Sequence, residues 1–320
     1  MKRLAMRIIL LLGLWLMIFT WPAIGAADRQ TYEEPFEKTV ALARDGKVQI
    51  SNVSGEIEVR TWGETRVKIK AVKRSRASSF AEAKENAARV NIEIVEEGNL
   101  LRIETNYPRS DRFWGRHSAN VSVDYWLWIP DQASFRAKNV SGDIDVEGTG
   151  GAVNLSAVSG DILIRKGRGQ VECNAVSGDI EAADIVGDVF LKSVSGDIKA
   201  KGLKGGVDAE TVSGDIELME VTEANKVRVK ALSGEVIYRG SINPAGNYNL
   251  KSHSGSITLY LPASSAFDLE AETFSGSIEM DFEIKMTGKI SPREISGVVN
   301  NGGASLRISS FSGDIKLIKS

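Results

Sequence analysis

Carboxylates at a fixed interval are the first residues in this chain that could do chemistry. Asp143, Asp161, Asp179, Asp197 and Asp215 recur at a constant spacing of 18, Glu235 follows at 20, and Asp314 lies further along. Two carboxylates at a set separation, one with a raised pKa, can cleave a glycosidic bond. Stacked carboxylates can also hold Ca²⁺, which takes several oxygen ligands. Neither chemistry suits this pattern well. Calcium repeats supply several ligands per turn; here each unit offers one carboxylate, and Ser256 and Ser277 replace it in two units. A polysaccharide-cleaving groove is built from loops that break a repeat, and the units from 141 to 215 are uniform. A polysaccharide-active enzyme and a Ca²⁺-stabilised repeat therefore remain the alternatives, not the main expectation. At strand spacing, neighbouring carboxylates would repel by about 3–4 kcal/mol at an effective dielectric near 20. The relief expected is that each one accepts a turn N–H and points into water.

The remaining reactive groups are few. The chain has two His and one Cys. His253 falls in a column otherwise held by Val, Leu and Phe, which suggests a partly buried structural residue. Cys173 falls in a core column beside Leu155 and Leu191, where a thiol behaves as a small inert hydrophobe. With a single Cys no intramolecular disulfide can form. No phosphate loop, metal-ligand spacing or nucleophile motif is present, so no catalytic, cofactor or metal site is expected. One segment differs from the rest: Arg109, Arg112, Arg116 and His117 surround Phe113 and Trp114. Such a loop suits contact with a membrane surface, an anionic polymer or a partner protein; equally, Trp114 could cover one end of the fold. Arg109, Arg112, Phe113, Trp114 and Arg116 are the candidate interaction residues.

The acids belong to a repeat. Ser-Gly, then Asp, Glu or Ser, then Ile or Val, occurs at Ser54, Ser141, Ser159, Ser177, Ser195, Ser213, Ser233, Ser254, Ser275 and Ser312. The interval is constant from Ser141 to Ser213 and lengthens slightly up to Ser275; the last gap, to Ser312, is about two periods. Ser296-Gly297 inside that gap reads as a degenerate copy. Aligned on the Ser, apolar residues fill the sixth, fourth and first positions before it and the third and fifth after it. The third position after it, for example, runs Ile144, Ile162, Ile180, Ile198, Ile216. Alternation on both sides of a Gly means two short strands joined by a turn. A Gly in every copy implies positive φ. The turn ladder comprises Ser141, Gly142, Asp143; Ser159, Gly160, Asp161; Ser177, Gly178, Asp179; Ser195, Gly196, Asp197; and Ser213, Gly214, Asp215.

A unit this short cannot bury its apolar side alone, but stacked copies can. The expected fold is all-β. Residues 131–320 form a β-solenoid of 18–21-residue coils, right-handed from strand twist. At about 4.8 Å per coil, nine or so coils give a rod roughly 40–45 Å long. Residues 27–130 form a mainly-β capping region that contains one isolated copy, at Val48 to Arg60. Strands are expected at Arg66 to Val72 and Val121 to Ile129, and a hairpin around Glu97-Gly98-Asn99. Ser79 to Glu82 has the form of a capping box, opening one short helix to about Arg89.

The leader concerns compartment. Lys2, Arg3 and Arg7 precede an apolar run, Ile8 to Trp21, then Pro22 and the small residues Gly25-Ala26-Ala27. This is the layout of a secretory signal peptide over residues 1–26; uncleaved, it could anchor the chain to a membrane. Removing its three basic residues leaves 37 Lys and Arg against 42 Asp and Glu, a net charge of −5. That balance argues against nucleic acid as a partner.

Repeated Val-Ser-Gly-Asp-Ile resembles the bacterial adhesin-like family of β-strand-repeat proteins, a domain family of unknown function. Ile257-Thr258-Leu259-Tyr260-Leu261-Pro262 and Gly302-Gly303-Ala304-Ser305-Leu306-Arg307-Ile308 before Ser312-Gly313-Asp314-Ile315 carry the same resemblance. It covers about 45–320 and implies export and a repeat fold, with no catalytic or ligand residues. Together these features predict an exported, non-enzymatic binding or structural module of the cell envelope, periplasmic or at the cell surface. Its expected partner is an envelope glycan or another exported protein.

Overall fold

The computed structural model describes residues 29–108 and 120–320. Residues 1–28, which include the expected signal peptide, lie outside the described residues, and so does the separate segment 109–119 with Arg109, Arg112, Phe113, Trp114 and Arg116. Among those described, no helix is long and apolar enough to cross a membrane.

Two long sheets of 13 and 14 strands face each other across one hydrophobic core. Each coil contributes one strand to each sheet. The strand before the Ser-Gly corner, such as Val153–Ser159 or Val171–Ser177, lies in the 14-stranded sheet. The strand after it, such as Ile162–Arg165 or Ile180–Val186, lies in the other. Pairing between coils is parallel and in register, with Val153 beside Val171 and Ile162 beside Ile180. The inward columns are aliphatic: Val153, Val171, Val189 and Val207 on one side, Ile144, Ile162, Ile180 and Ile198 on the other. Burial of β-branched side chains on a pleated surface is what this composition favours.

All ten Ser-Gly copies form one stack, but not in chain order. The Ser54 copy pairs directly with the Ser141 copy, although residues 55–140 separate them in sequence. At the other end, the last strand pair of the chain, Ala304–Ser312 and Ile315–Lys319, inserts between the Ser254 and Ser275 coils. The long gap before Ser312 therefore does not hold a degenerate copy. Ser296 and Gly297 lie in the strand Glu294–Val299, which runs antiparallel to Phe267–Ser275. Paired in turn with Ile284–Ser291, it closes that edge of the 14-stranded sheet. This corrects the period count: the extra residues form a capping hairpin, because an open parallel edge would invite pairing with another chain.

The other end is capped by residues 30–130, which share both sheets and the core with the rod. The strands Leu100–Asn106 and Val121–Pro130 add a further level beneath the Ser54 coil. The hairpin Asn91–Glu97 with Leu100–Asn106 covers one sheet edge, turning at Gly98. Arg66–Ala77 and Gln30–Ala41 cover the other. The edge strand Gln30–Ala41 carries Pro35 and charges at Glu33, Glu34, Glu37 and Lys38, devices that blunt an exposed edge. The helix spans Phe80–Ala88; Ser79 Oγ caps it by accepting from Glu82 N–H at 3.2 Å. It buries Ala83 and Ala87.

A second corner brings each coil back. Gly169, Gly187 and Gly205 stack there with φ of +125°, +138° and +132°. A Cβ on Gly187 would stand 2.3 Å from Gly169 O, so only glycine fits.

Candidate functional site

The Ser-Gly corner is the most regular part of the surface. Each Gly N–H donates to the Ser carbonyl of the next coil, as Gly196 to Ser213 at 3.0 Å. Gly196 has φ +152°, and a Cβ on it would lie 2.1 Å from Gly178 O. The Gly carbonyls are left facing the next glycine, and buried polar side chains two positions before the Ser satisfy several of them. Asn139 Nδ2 donates to Gly55 O and Gly142 O at 2.8 Å, and Ser310 Oγ donates to Gly255 O at 3.1 Å.

The carboxylates form a ladder between coils. Asp143 Oδ1 accepts from Asp161 N–H at 2.8 Å, and the same contact repeats from Asp161 to Asp179, Asp179 to Asp197, Asp197 to Asp215 and Asp215 to Glu235. The N–H partner belongs to the coil above, not to the carboxylate's own turn. Where Ser277 replaces an acid, its N–H and hydroxyl both donate to Asp314 Oδ1, at 2.8 and 2.9 Å. Those two bonds hold the Asp314 carboxyl below the usual carboxylate range. The ladder also extends one level earlier than the repeat itself. Asp124, on the strand beneath the Ser54 coil, accepts from Glu56 N–H at 3.0 Å. Nothing in the spacing marks Asp124, because it follows no Ser-Gly.

The column directly before the Ser lies on the opposite side from the one expected. Val53, Val140, Val158, Val176, Val194, Val212, Leu232, Phe311 and Phe274 are all exposed, from 43% at Val53 to 67% at Phe274. His253 is exposed with them. The reason is the pleat. Inward positions fall at six, four and two before the Ser, and the small residue at two before (Ala157, Ala175, Ser193, Thr211) is the buried one. The next residue must then face out. The small, often polar residues at that inward position concealed the alternation.

The outcome is an apolar ridge along the corner for the full length of the rod. At one end His253, Phe311 and Phe274 stack with centroids 4.9 and 4.8 Å apart and planes within 11°. On one flank the ridge borders a groove of about 760 Å³ lined by Lys230, Lys251, Glu210, Glu272 and Arg293. On the other it borders an acidic groove of about 370 Å³ lined by Asp143, Asp161, Asp179, Asp145 and Glu181. Among the described residues, no three His, Cys, Asp or Glu side chains are grouped to hold a metal ion. Cys173 is fully buried between Leu155 and Leu191, and burial pushes its thiol far up.

The Toastrack DUF4097 profile matches residues 47–318, taking in every Ser-Gly corner. The chain belongs to the Toastrack DUF4097 family. No curated protein matches it. Among solved structures, a candidate lipid-binding protein of Parabacteroides distasonis is 13% identical, covers 88% of this chain and 96% of its own, and has a TM-score of 0.45. A candidate adhesin of Bacteroides fragilis is 13% identical over 89% and 97%, with a TM-score of 0.37. A candidate cell-adhesion protein of Clostridium sporogenes is 12% identical over 90% and 100%, at 0.25. At such scores these likenesses carry no argument about this Toastrack chain. Its architecture stands on its own strand pairing and on the family match.

Proposed function

We propose that this chain is an exported, non-enzymatic binding module of the bacterial cell envelope, and that the corner ridge is the face it presents. The observation that carries this reading is the ridge: one apolar side chain at nearly every level of the stack, each about half exposed. Soluble proteins rarely leave a continuous apolar surface of this extent without a partner for it. A solenoid also fixes its side chains on a rigid lattice, so little ordering entropy is lost on contact. An apolar centre with polar flanks has the layout of a protein interface. That favours another exported protein over a glycan, because aliphatic Val and Leu along most of the ridge give a sugar's hydroxyls nothing to bond. The leader supports export.

Fractionation of cells producing the full chain tests this. The expected result is a mature protein that begins near Ala27 and is retained in an assembly larger than one chain. A pair of substitutions, Val158→Lys and Val212→Lys, should release it from that assembly without changing its circular dichroism. Cytoplasmic retention of the full-length chain, or polysaccharide cleavage abolished by one Asp→Asn change in a folded protein, would overturn the reading.

A further inference from the structure

The ridge has a definite length, and its two flanks carry different charge. We propose that its partner is a second copy of this chain, the two rods lying parallel with a two-fold axis along their length, ridge against ridge. This rests on the preceding reading that the ridge is a binding face, and adds what covers it.

The first argument is area. Ten levels about 4.8 Å apart make a face about 45 Å long. Five residue positions across the corner make it about 16 Å wide. The product is roughly 700 Å² per copy, close to the ~800 Å² per partner of a standard stable interface. Both edges of the 14-stranded sheet and the N-terminal edge of the 13-stranded sheet are capped, and the remaining edge is the three-residue strand Ile278–Met280, too short to offer a long pairing surface; the ridge offers one.

The second argument is charge. Two positions after the Ser stand Asp143, Asp161, Asp179, Asp197, Asp215 and Glu235. Among the described residues only Asp197 of this column meets a cation of its own chain, Lys199 at 3.9 Å. Three positions before the Ser, on the opposite flank, stand Lys138, Lys192, Lys230 and Lys251, with Glu210 and Glu272. A two-fold axis along the rods keeps every level opposite itself and sets each acidic flank against the partner's other flank. Asp143 then faces Lys138, Asp197 faces Lys192 and Glu235 faces Lys230 of the second copy. Where the acidic column turns to Ser256, the facing residue is Lys251, and where it turns to Ser277 it is Glu272. One level is like-charged, Asp215 with Glu210, and there Lys230, which pairs with Glu210 at 3.0 Å, is shared between Glu210 and the partner's Glu235; Asp161 and Asp179 face the neutral Ser156 and Asn174. An antiparallel pair would instead set the acidic column against itself. The parallel arrangement also places Phe274, Phe311 and His253 against their own copies, joining two aromatic stacks.

Sedimentation equilibrium of the exported, purified chain tests the proposal. The expected result is a dimer at micromolar concentration that weakens as salt rises. Val176→Lys with Val194→Lys should give a monomer with unchanged circular dichroism. For the arrangement, Val158→Cys and His253→Cys, which would face each other only in an antiparallel pair, should each form a disulfide with their own copy on oxidation, Cys173 being buried. A wild-type chain monomeric at hundreds of micromolar overturns self-pairing, and the binding reading then stands or falls on the retention experiment alone. Cross-links that form only between the two different Cys variants overturn the parallel arrangement.

Discussion

Replacing Gly196 with alanine should open the rod at one corner, and the structure sets the size of the effect. A Cβ at this position would sit 2.1 Å from Gly178 O and 2.6 Å from Gly178 C, both backbone atoms that cannot rotate away. Relief requires the two coils to separate by about 1 Å at that corner, since carbon and oxygen rarely approach below about 3 Å. Three hydrogen bonds cross the same corner: Gly178 N–H to Ser195 O at 3.1 Å, Ile180 N–H to Asp197 O at 2.9 Å, and Asp197 N–H to Asp179 Oδ1 at 2.8 Å. At about 1 kcal/mol net each, straining or losing them costs about 2–3 kcal/mol. Holding a residue with a Cβ at φ +152° adds about 1–3 kcal/mol. The expected loss is about 3–6 kcal/mol. Gly63 is the control, because a Cβ there meets nothing within 4 Å. Gly63→Ala should fall within about 0.5 kcal/mol of wild type, or stabilise slightly. Urea denaturation measures the global effect. Native-state hydrogen exchange at Gly196, Asp197 and Ser213 measures the local one, and does so even if the stack opens coil by coil. A loss under about 1 kcal/mol, or equal effects at Gly63 and Gly196, would refute the argument that close stacking of carbonyl on glycine dictates this residue.

Three further outcomes follow from the same corner and its order. Melting temperature in chelator and in millimolar Ca²⁺ should agree within about two degrees, since stabilisation by a bound ion would raise it in proportion to ligand excess; a large upward shift with Ca²⁺ would show that the ladder binds metal. Asp314 has a folded-state pKa below its unfolded value because Ser277 donates two hydrogen bonds to it. Its contribution to stability is therefore present above the unfolded pKa and is lost as pH falls through the depressed folded value. Asp314→Asn should flatten that part of an acid titration followed by circular dichroism, and an unchanged acid limb would remove Asp314 from the ladder's energetics. Deleting residues 304–320 should leave residues 29–261 folded while exposing 267–303 to protease, because the Ala304–Ser312 strand is the parallel neighbour of both the Ser254 and Ser275 coils. Uniform proteolysis of the truncated chain would mean that the stack folds as a single unit.

Local chemistry made much of this fold legible. The Ser-Gly-Asp-Ile interval marks the corner, since glycine is the residue that tolerates positive φ with a carbonyl behind it. The aliphatic columns at six and four before the Ser and at three and five after it mark the inner faces. Glu97-Gly98-Asn99 and Ser79 to Glu82 mark the hairpin and the helix start, because turn and cap residues act within a few positions of themselves. The strand Gln30–Ala41 escaped notice for an equally local reason: its charges and Pro35 protect an edge and break the alternation that identifies strands.

The direction in which the Val-before-Ser column points was also written in the chain, though disguised. Counting by two from Val153 and Leu155 reaches Ala157, and so turns Val158 outward; the inward residue was too small and too polar to look like core.

The repeat, the corner glycines, the inner columns and the family resemblance are all properties of the linear chain. Which coil lies on which is not. The folded molecule settles that the Ser54 copy joins the rod, that the last coil inserts before its predecessor, and that ten separate side chains line up as one ridge. The cause is degeneracy: coils with the same columns pair equally well with any neighbour, so local pattern cannot choose the order. That choice falls to the capping hairpin and the N-terminal strands, which close both edges of the 14-stranded sheet and one edge of the 13-stranded sheet and leave the ridge uncovered.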